Sequence, residues 1–248
     1  MQCVAFVSPF GGVGRTTLTA HCAALLAARG VPALALELSA QNTLGLHLGL
    51  SLPPQSGWQG AVHAGSWWGE VALENTAGVR LLPYGADTHQ EVLPKTWLLE
   101  HLVQLDIPQT GIVLLDTPVL PAPLAQQALD CADLVVWVLD AAPRAVHAQA
   151  TVQKWLTRLE PEQHWAVVVT GVDPRSGTRR EALAQLRRQW GPRLLPYALH
   201  QDEYLPRAQA QSLCVHQMAP QAQSAHDLQG IATWIKDTLA RPAVQEGA

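Results

Sequence analysis

The sequence predicts a single-domain α/β protein built as three layers (α/β/α), with helices on both faces of a mostly parallel sheet. Two observations carry that expectation. Short apolar runs alternate along the chain with longer amphipathic stretches, the pattern of successive strand and helix units. Within each run the apolar residues are continuous instead of alternate, as strands require when both their faces are covered. A length of 248 residues, 48% hydrophobic and 15% charged, gives such a sheet enough material for one large core.

Taken in order, CVAFVS at 3–8 is the first strand, and SPFGGVGRTT at 8–17 is the turn that leaves it. TTLTAHCAALLAARG then gives a helix, stopped by Gly30. PALALEL at 32–38 is a second buried strand, and VRLLPYG, GIVLLD, LVVWVLD and AVVVTG are four more. Helical patterns fall at 91–105, 121–130, 143–159 and 178–190. LLPYALH at 194–200 is expected as a last strand and 222–240 as a closing helix. The folded domain is expected over 1–240, with a flexible tail at 241–248.

Segment 50–78, with Pro53, Pro54, Gly57, Gly60 and Gly65, is the loosest part of the chain, and it carries Trp58, Trp67 and Trp68. These tryptophans form either an exposed contact surface for a partner or a cap on the sheet edge, and the sequence leaves both open. In the closing helix, Leu228, Ile231, Ile235 and Leu239 recur at helical spacing beside Trp234. Lys236 and Asp237 nearly cancel on its other side, which predicts a core helix and not a membrane-surface one.

The charge balance of 16 basic against 20 acidic residues points away from nucleic acid. The arginines at 175, 179, 180, 187 and 188 are expected on a solvated helix face. Four cysteines without a CxxC pair argue for a reducing compartment, and ten histidines without HxH or HxxxH spacing offer no zinc site. The chain opens on a strand pattern without a signal sequence and holds no apolar run near the ~20 residues that span a bilayer, so a cytoplasmic location is expected.

The turn carries the chemistry. Gly11, Gly12 and Gly14 free the backbone to curl, so that successive N–H groups converge on phosphate oxygens, and the helix after them adds its N-terminal partial charge. Arg15 stands where the usual phosphate-loop pattern has lysine, and Thr16 would place its hydroxyl on Mg²⁺ beside the β- and γ-phosphates. In the later turn Thr170-Gly171-Val172-Asp173, Asp173 is the one residue that matches a guanine-reading motif; otherwise it is a simple turn residue.

GGVGRTT, ELSAQN after the second strand and IVLLDTP around Asp116 together resemble the ParA/MinD group of deviant phosphate-loop ATPases, whose phosphate-loop NTPase fold is of the SIMIBI class. The likeness runs through LLPYALHQDEYLPRAQAQ near the end of the chain. GGVG without lysine, GWQGAVHAGSWW, VRLLPYG and LLPYALHQDEYLPRAQAQSLCVHQ are similar to the BcsQ proteins of bacterial cellulose secretion.

The resemblance implies ATP and Mg²⁺ as ligands. Phe10, Gly11, Gly12, Val13, Gly14, Arg15, Thr16, Thr17 and Thr170 would take the nucleotide, and Thr16, Glu37 and Asp116 the metal. It further implies an ATP-sandwich homodimer, a small partner subunit, contact with cytosolic parts of the cellulose synthase complex and indirect association with the inner membrane. Three departures from the group's pattern stand out. The lysine that reaches the partner's phosphates falls at Phe10, the ordinary loop lysine at Arg15, and the aspartate that orients the attacking water at Ser39. Arg15 keeps the charge needed to grip a triphosphate, whereas Phe10 and Ser39 lack what would cleave it. No catalytic residue is therefore assigned, and slow or absent hydrolysis is expected. The rival reading is an active partitioning ATPase of the ParA type that binds DNA non-specifically through the arginines at 175–188.

Overall fold

The first strand, β1 (Gln2–Val7), is buried on both faces and is an interior strand of a seven-stranded sheet. The others are β2 (Ala33–Glu37), β3 (Leu73–Glu74), β4 (Arg80–Leu82), β5 (Ile112–Asp116), β6 (Leu134–Asp140) and β7 (His164–Thr170). Their order is β3-β4-β2-β5-β1-β6-β7, parallel throughout except for the antiparallel pair of β3 with β4. The computed structural model describes residues 1–75, 77–87 and 92–241.

Eleven α-helices occur among the described residues: α1 (Arg15–Ala28), α2 (Leu44–His47), α3 (Trp58–His63), α4 (Trp97–Leu102), α5 (Pro123–Cys131), α6 (Pro143–His147), α7 (Gln149–Leu156), α8 (Gly177–Trp190), α9 (Tyr204–Ala210), α10 (Val215–Met218) and α11 (Gln223–Leu239). Alternation along β1 divides them into layers. Val4 and Phe6 enter one core with Leu18 and Leu26 of α1 and Ile231 and Ile235 of α11. Cys3, Ala5 and Val7 point the other way, into a second core with Leu98 of α4, Leu129 of α5 and Leu186 of α8. Two cores on one sheet explain why its central strands are apolar along nearly their whole length. The three-layer, mostly parallel architecture is the expected one.

Some elements differ from expectation. LLPYALH is not a strand: it makes only isolated parallel bridges, Val167 with Leu194 and Val172 with His200. Leu195 and Leu199 donate to the carbonyls of Val167 and Val169, so four residues here span two on β7 and no continuous ladder forms. The pattern at 91–105 yields a helix only at Trp97–Leu102, and its first residue lies outside the described ones. The pattern at 143–159 is divided at Ala148 into α6 and α7. The two-residue β3 was not expected within the loose segment. Of the anticipated tail, residues 242–248 lie outside the described ones.

The tryptophans part company. Trp58 and Trp68 are fully buried, while Trp67 is 51% exposed. Trp58 stacks on Trp97 with ring centroids 5.0 Å apart and meets Tyr84 and Trp68 edge-on. Trp58 and Trp68 are therefore core residues, and a contact role is open to Trp67 alone. The closing helix α11 is a core helix as expected, with Leu228, Ile231, Ile235 and Leu239 all buried. No helix among the described residues is long and apolar enough to cross a membrane.

Candidate functional site

The site forms at the carboxyl end of β1, flanked by β5 and β6 on either side, where an open parallel sheet leaves a crevice. The chain leaves β1 through the turn and enters α1 at Arg15, and the amide of Leu18 closes the first helical turn on the carbonyl of Gly14. Gly12 has φ of 69° and Gly14 of 86°. A β-carbon at Gly12 would have open space around it, so the left-handed backbone and not crowding is what calls for glycine. Thr170, closing β7, donates its hydroxyl to the carbonyl of Val13 at 2.7 Å and so pins the curl from the opposite side. Its hydroxyl proton is spent on the loop, which makes Thr170 an anchor of the turn.

Beneath the loop, four of the anticipated residues come together. Thr16 donates its hydroxyl to Asp116 Oδ2 at 2.8 Å. Asp116 ends β5 level with Glu37 at the end of β2. Burial pushes the Asp116 carboxyl up to about 6, opposed by the Thr16 hydrogen bond and by the Arg15 charge. Glu37 is pushed up to about 8, chiefly by burial; the Leu44 amide opposes that shift and the neighbouring Asp116 adds to it. One Glu37 oxygen, Oε1, accepts the amides of Thr43 at 2.6 Å and Leu44 at 2.9 Å, so this carboxyl also caps α2. The Glu37 carbonyl accepts Trp58 Nε1 at 2.7 Å, tying the tryptophan cluster to the site.

Three buried atoms here have no partner among the described residues: Arg15 Nη1, Glu37 Oε2 and Asp116 Oδ1. Buried polar atoms in folded proteins are nearly always paired, so atoms left over mark a place for something outside the chain. Carboxylate oxygens suit a hard divalent cation, and a guanidinium suits phosphate. The residues present fit both groups.

The remaining expected positions fall outside this group of four. Phe10 is half-buried, its amide donating to Ser8 Oγ, and it presents an aromatic ring where the resemblance puts a cation. Ser39 is buried and its hydroxyl accepts the Gln41 amide at 3.4 Å, so no carboxylate stands there. Gly12, Val13, Gly14, Thr17 and Thr170 line a cavity of about 870 Å³ that runs to Arg179, His200 and Leu205. Arg15, Thr16, Glu37 and Asp116 are not on its lining.

Several residues of this cavity carry no sequence motif. Asp140 closes β6 and is paired with Arg144, and His200 Nδ1 lies 2.8 Å from Asp227. Each is brought in by topology across distant parts of the chain, and the position of Asp140 at a strand end is the one signal available beforehand. Arg179 turns inward to the Gly171 carbonyl, whereas Arg175, Arg180, Arg187 and Arg188 stay exposed as expected. Asp173 Oδ1 accepts both the amide and the Nε of Arg175, the behaviour of a turn residue.

The model of the family described as "Cellulose biosynthesis protein BcsQ" matches residues 1–235. The chain belongs to the BcsQ family. A BcsQ protein of Salmonella typhi is 26% identical over 234 residues, covering 90% of each chain. Among solved structures, the septum site-determining protein MinD of Pyrococcus horikoshii, complexed with Mg-ADP, superposes with a TM-score of 0.80. It is 17% identical and the match covers 96% of this chain and 97% of that one. Cobyrinic acid a,c-diamide synthase of Mycobacterium smegmatis, with a bound ATP analogue and magnesium, gives a TM-score of 0.77 at 18% identity over the whole of both chains. These structural likenesses establish that this BcsQ-family chain has the phosphate-loop fold of the MinD group.

Proposed function

We propose that this protein binds ATP with Mg²⁺ at the glycine-rich loop and holds it as a structural ligand, serving to assemble or position the bacterial cellulose synthase machinery. The observation that carries the reading is the buried Arg15 Nη1, left without a partner beside the equally unpartnered Asp116 Oδ1. When bound, Mg²⁺ would supply compact positive charge that neutralises the phosphates. Arg15 grips phosphate oxygens through its planar fork, the amides of Gly12 to Thr17 donate to the same group, and Thr16 and Asp116 orient the metal's surroundings. Glu37 Oε2 is the third oxygen available to that shell, directly or through water.

The same residues favour retention over cleavage. Phe10 brings no cation to the site and Ser39 no carboxylate to aim a water. Each such group commonly contributes on the order of 10²–10³ in rate, and turnover is accordingly slow or absent. A γ-phosphate that persists can bridge two copies, so the working form is a nucleotide-sandwich homodimer. That dimer acts with a small partner subunit and the cytosolic parts of the synthase, and it reaches the inner membrane through them. The family match supports the cellulose role. Sedimentation with and without Mg-ATP tests the dimer: a doubling of mass with nucleotide is expected, and an unchanged mass would contradict it.

A further inference from the structure

We infer that Arg144 is a positioning residue for the anionic ligand: it neutralises Asp140, which would otherwise repel phosphate at the mouth of the loop. The inference rests on the reading of the cavity as a nucleotide site. Asp140 lines that cavity together with Gly12, Gly14 and Thr17, which puts its negative charge beside the space the phosphates would enter. It cannot turn far away, because it closes β6 in register with Thr170, which is itself bonded to the loop. An anion at that place opposes a triphosphate unless its charge is cancelled.

Arg144, four residues on, cancels it in a forked geometry. Its Nε lies 3.2 and 3.1 Å from the two Asp140 oxygens, and Nη2 lies 2.8 Å from Oδ2. The same Nη2 reaches the Gly11 carbonyl at 3.5 Å, and the guanidinium carbon sits 5.1 Å from the Phe10 ring centroid. One side chain thus touches the carboxylate, the loop backbone and the aromatic residue. Half-exposed, it also keeps positive charge beside the loop.

The assignment yields a charge cycle that a purely structural clamp would not obey. ATP affinity is measured with magnesium at 0.1 M salt for wild type, Arg144→Ala, Asp140→Asn and the double variant, with melting temperature recorded alongside. Arg144→Ala is expected to weaken binding about tenfold or more, Asp140→Asn to leave it equal or tighter, and the double variant to return it to near the wild-type value. The loss in Arg144→Ala is expected to shrink at 1 M salt, where screening acts over ~3 Å instead of ~10 Å. Arg144→Gln, which keeps hydrogen bonding without charge, serves if the alanine variant fails to fold, and the same loss is expected. An affinity in Arg144→Ala equal to wild type, or a double variant as weak as Arg144→Ala, would overturn the inference. Absence of ATP binding by wild type would instead overturn the nucleotide reading beneath it.

Discussion

The hydroxyl of Thr16 and the carboxylate of Asp116 are joined by a 2.8 Å hydrogen bond that ties the first turn of α1 to the end of β5. Loop and carboxylate are thereby set before any ligand arrives, which lowers the cost of ordering them on binding. Asp116→Asn keeps the shape and the hydrogen bond while removing the charge. Its ATP affinity is expected to fall about 10- to 100-fold with Mg²⁺ present and to change little in EDTA. Calorimetric titration under both conditions checks this.

Glu37 makes the stability of the ligand-free protein depend on pH. Its folded pKa, about 8, lies above the ordinary 4.5, so between those values the folded state holds more protons than the unfolded one. Its contribution is full below about 4.5 and is lost as pH rises through 8. Wild type in EDTA is expected to melt at falling temperature from pH 6.5 to 8. Glu37→Gln, which can still accept the Thr43 and Leu44 amides, is expected to lose that slope in thermal scans.

His21 acts in the opposite sense at acid pH. Its ring is buried between the Thr17 carbonyl at 2.8 Å and the Val215 amide at 3.2 Å. Because Val215 donates, Nε2 is the acceptor and Nδ1 carries the proton toward Thr17. Burial drives its pKa down to about 3, so the unfolded state binds more protons from there up to 6.5. Stability from this group is full above 6.5 and is lost as pH falls toward 3. Replacement by Gln is expected to make the acid limb of the melting curve shallower.

The tryptophans separate by burial. Trp58→Ala is expected to cost about 3–5 kcal/mol, since it empties a buried ring site and removes the bond to the Glu37 carbonyl. Trp67→Ala, at an exposed position, is expected to change stability by under about 0.5 kcal/mol. Urea unfolding of the two variants checks both values.

The central strands were legible because they are covered on both faces and so read as apolar runs, as in LVVWVLD, whereas the exposed two-residue β3 left no such signal. LLPYALH shows where that signal misleads: the run is apolar, yet it slips against β7 and makes only isolated bridges. The loop and the position of Thr16 followed from local spacing, while the role suggested for Asp116 came from the family resemblance. What spacing could not give was adjacency across the fold. Arg144 meets Gly11 from 133 residues away, and Trp58 meets Glu37 only because α3 packs against the end of β2. The twin bond of Glu37 to the start of α2 was equally hidden, since a capping carboxylate and a metal-side carboxylate look alike in sequence.

The central claim is that the loop keeps a triphosphate intact. The direct measurement loads purified protein with Mg-ATP, removes free nucleotide, waits an hour at 25 °C, denatures the protein and identifies what is released. Intact ATP in near-stoichiometric amount is the predicted result. Release of ADP alone, or turnover on the order of 1 per second as in an ordinary enzyme, would contradict the account.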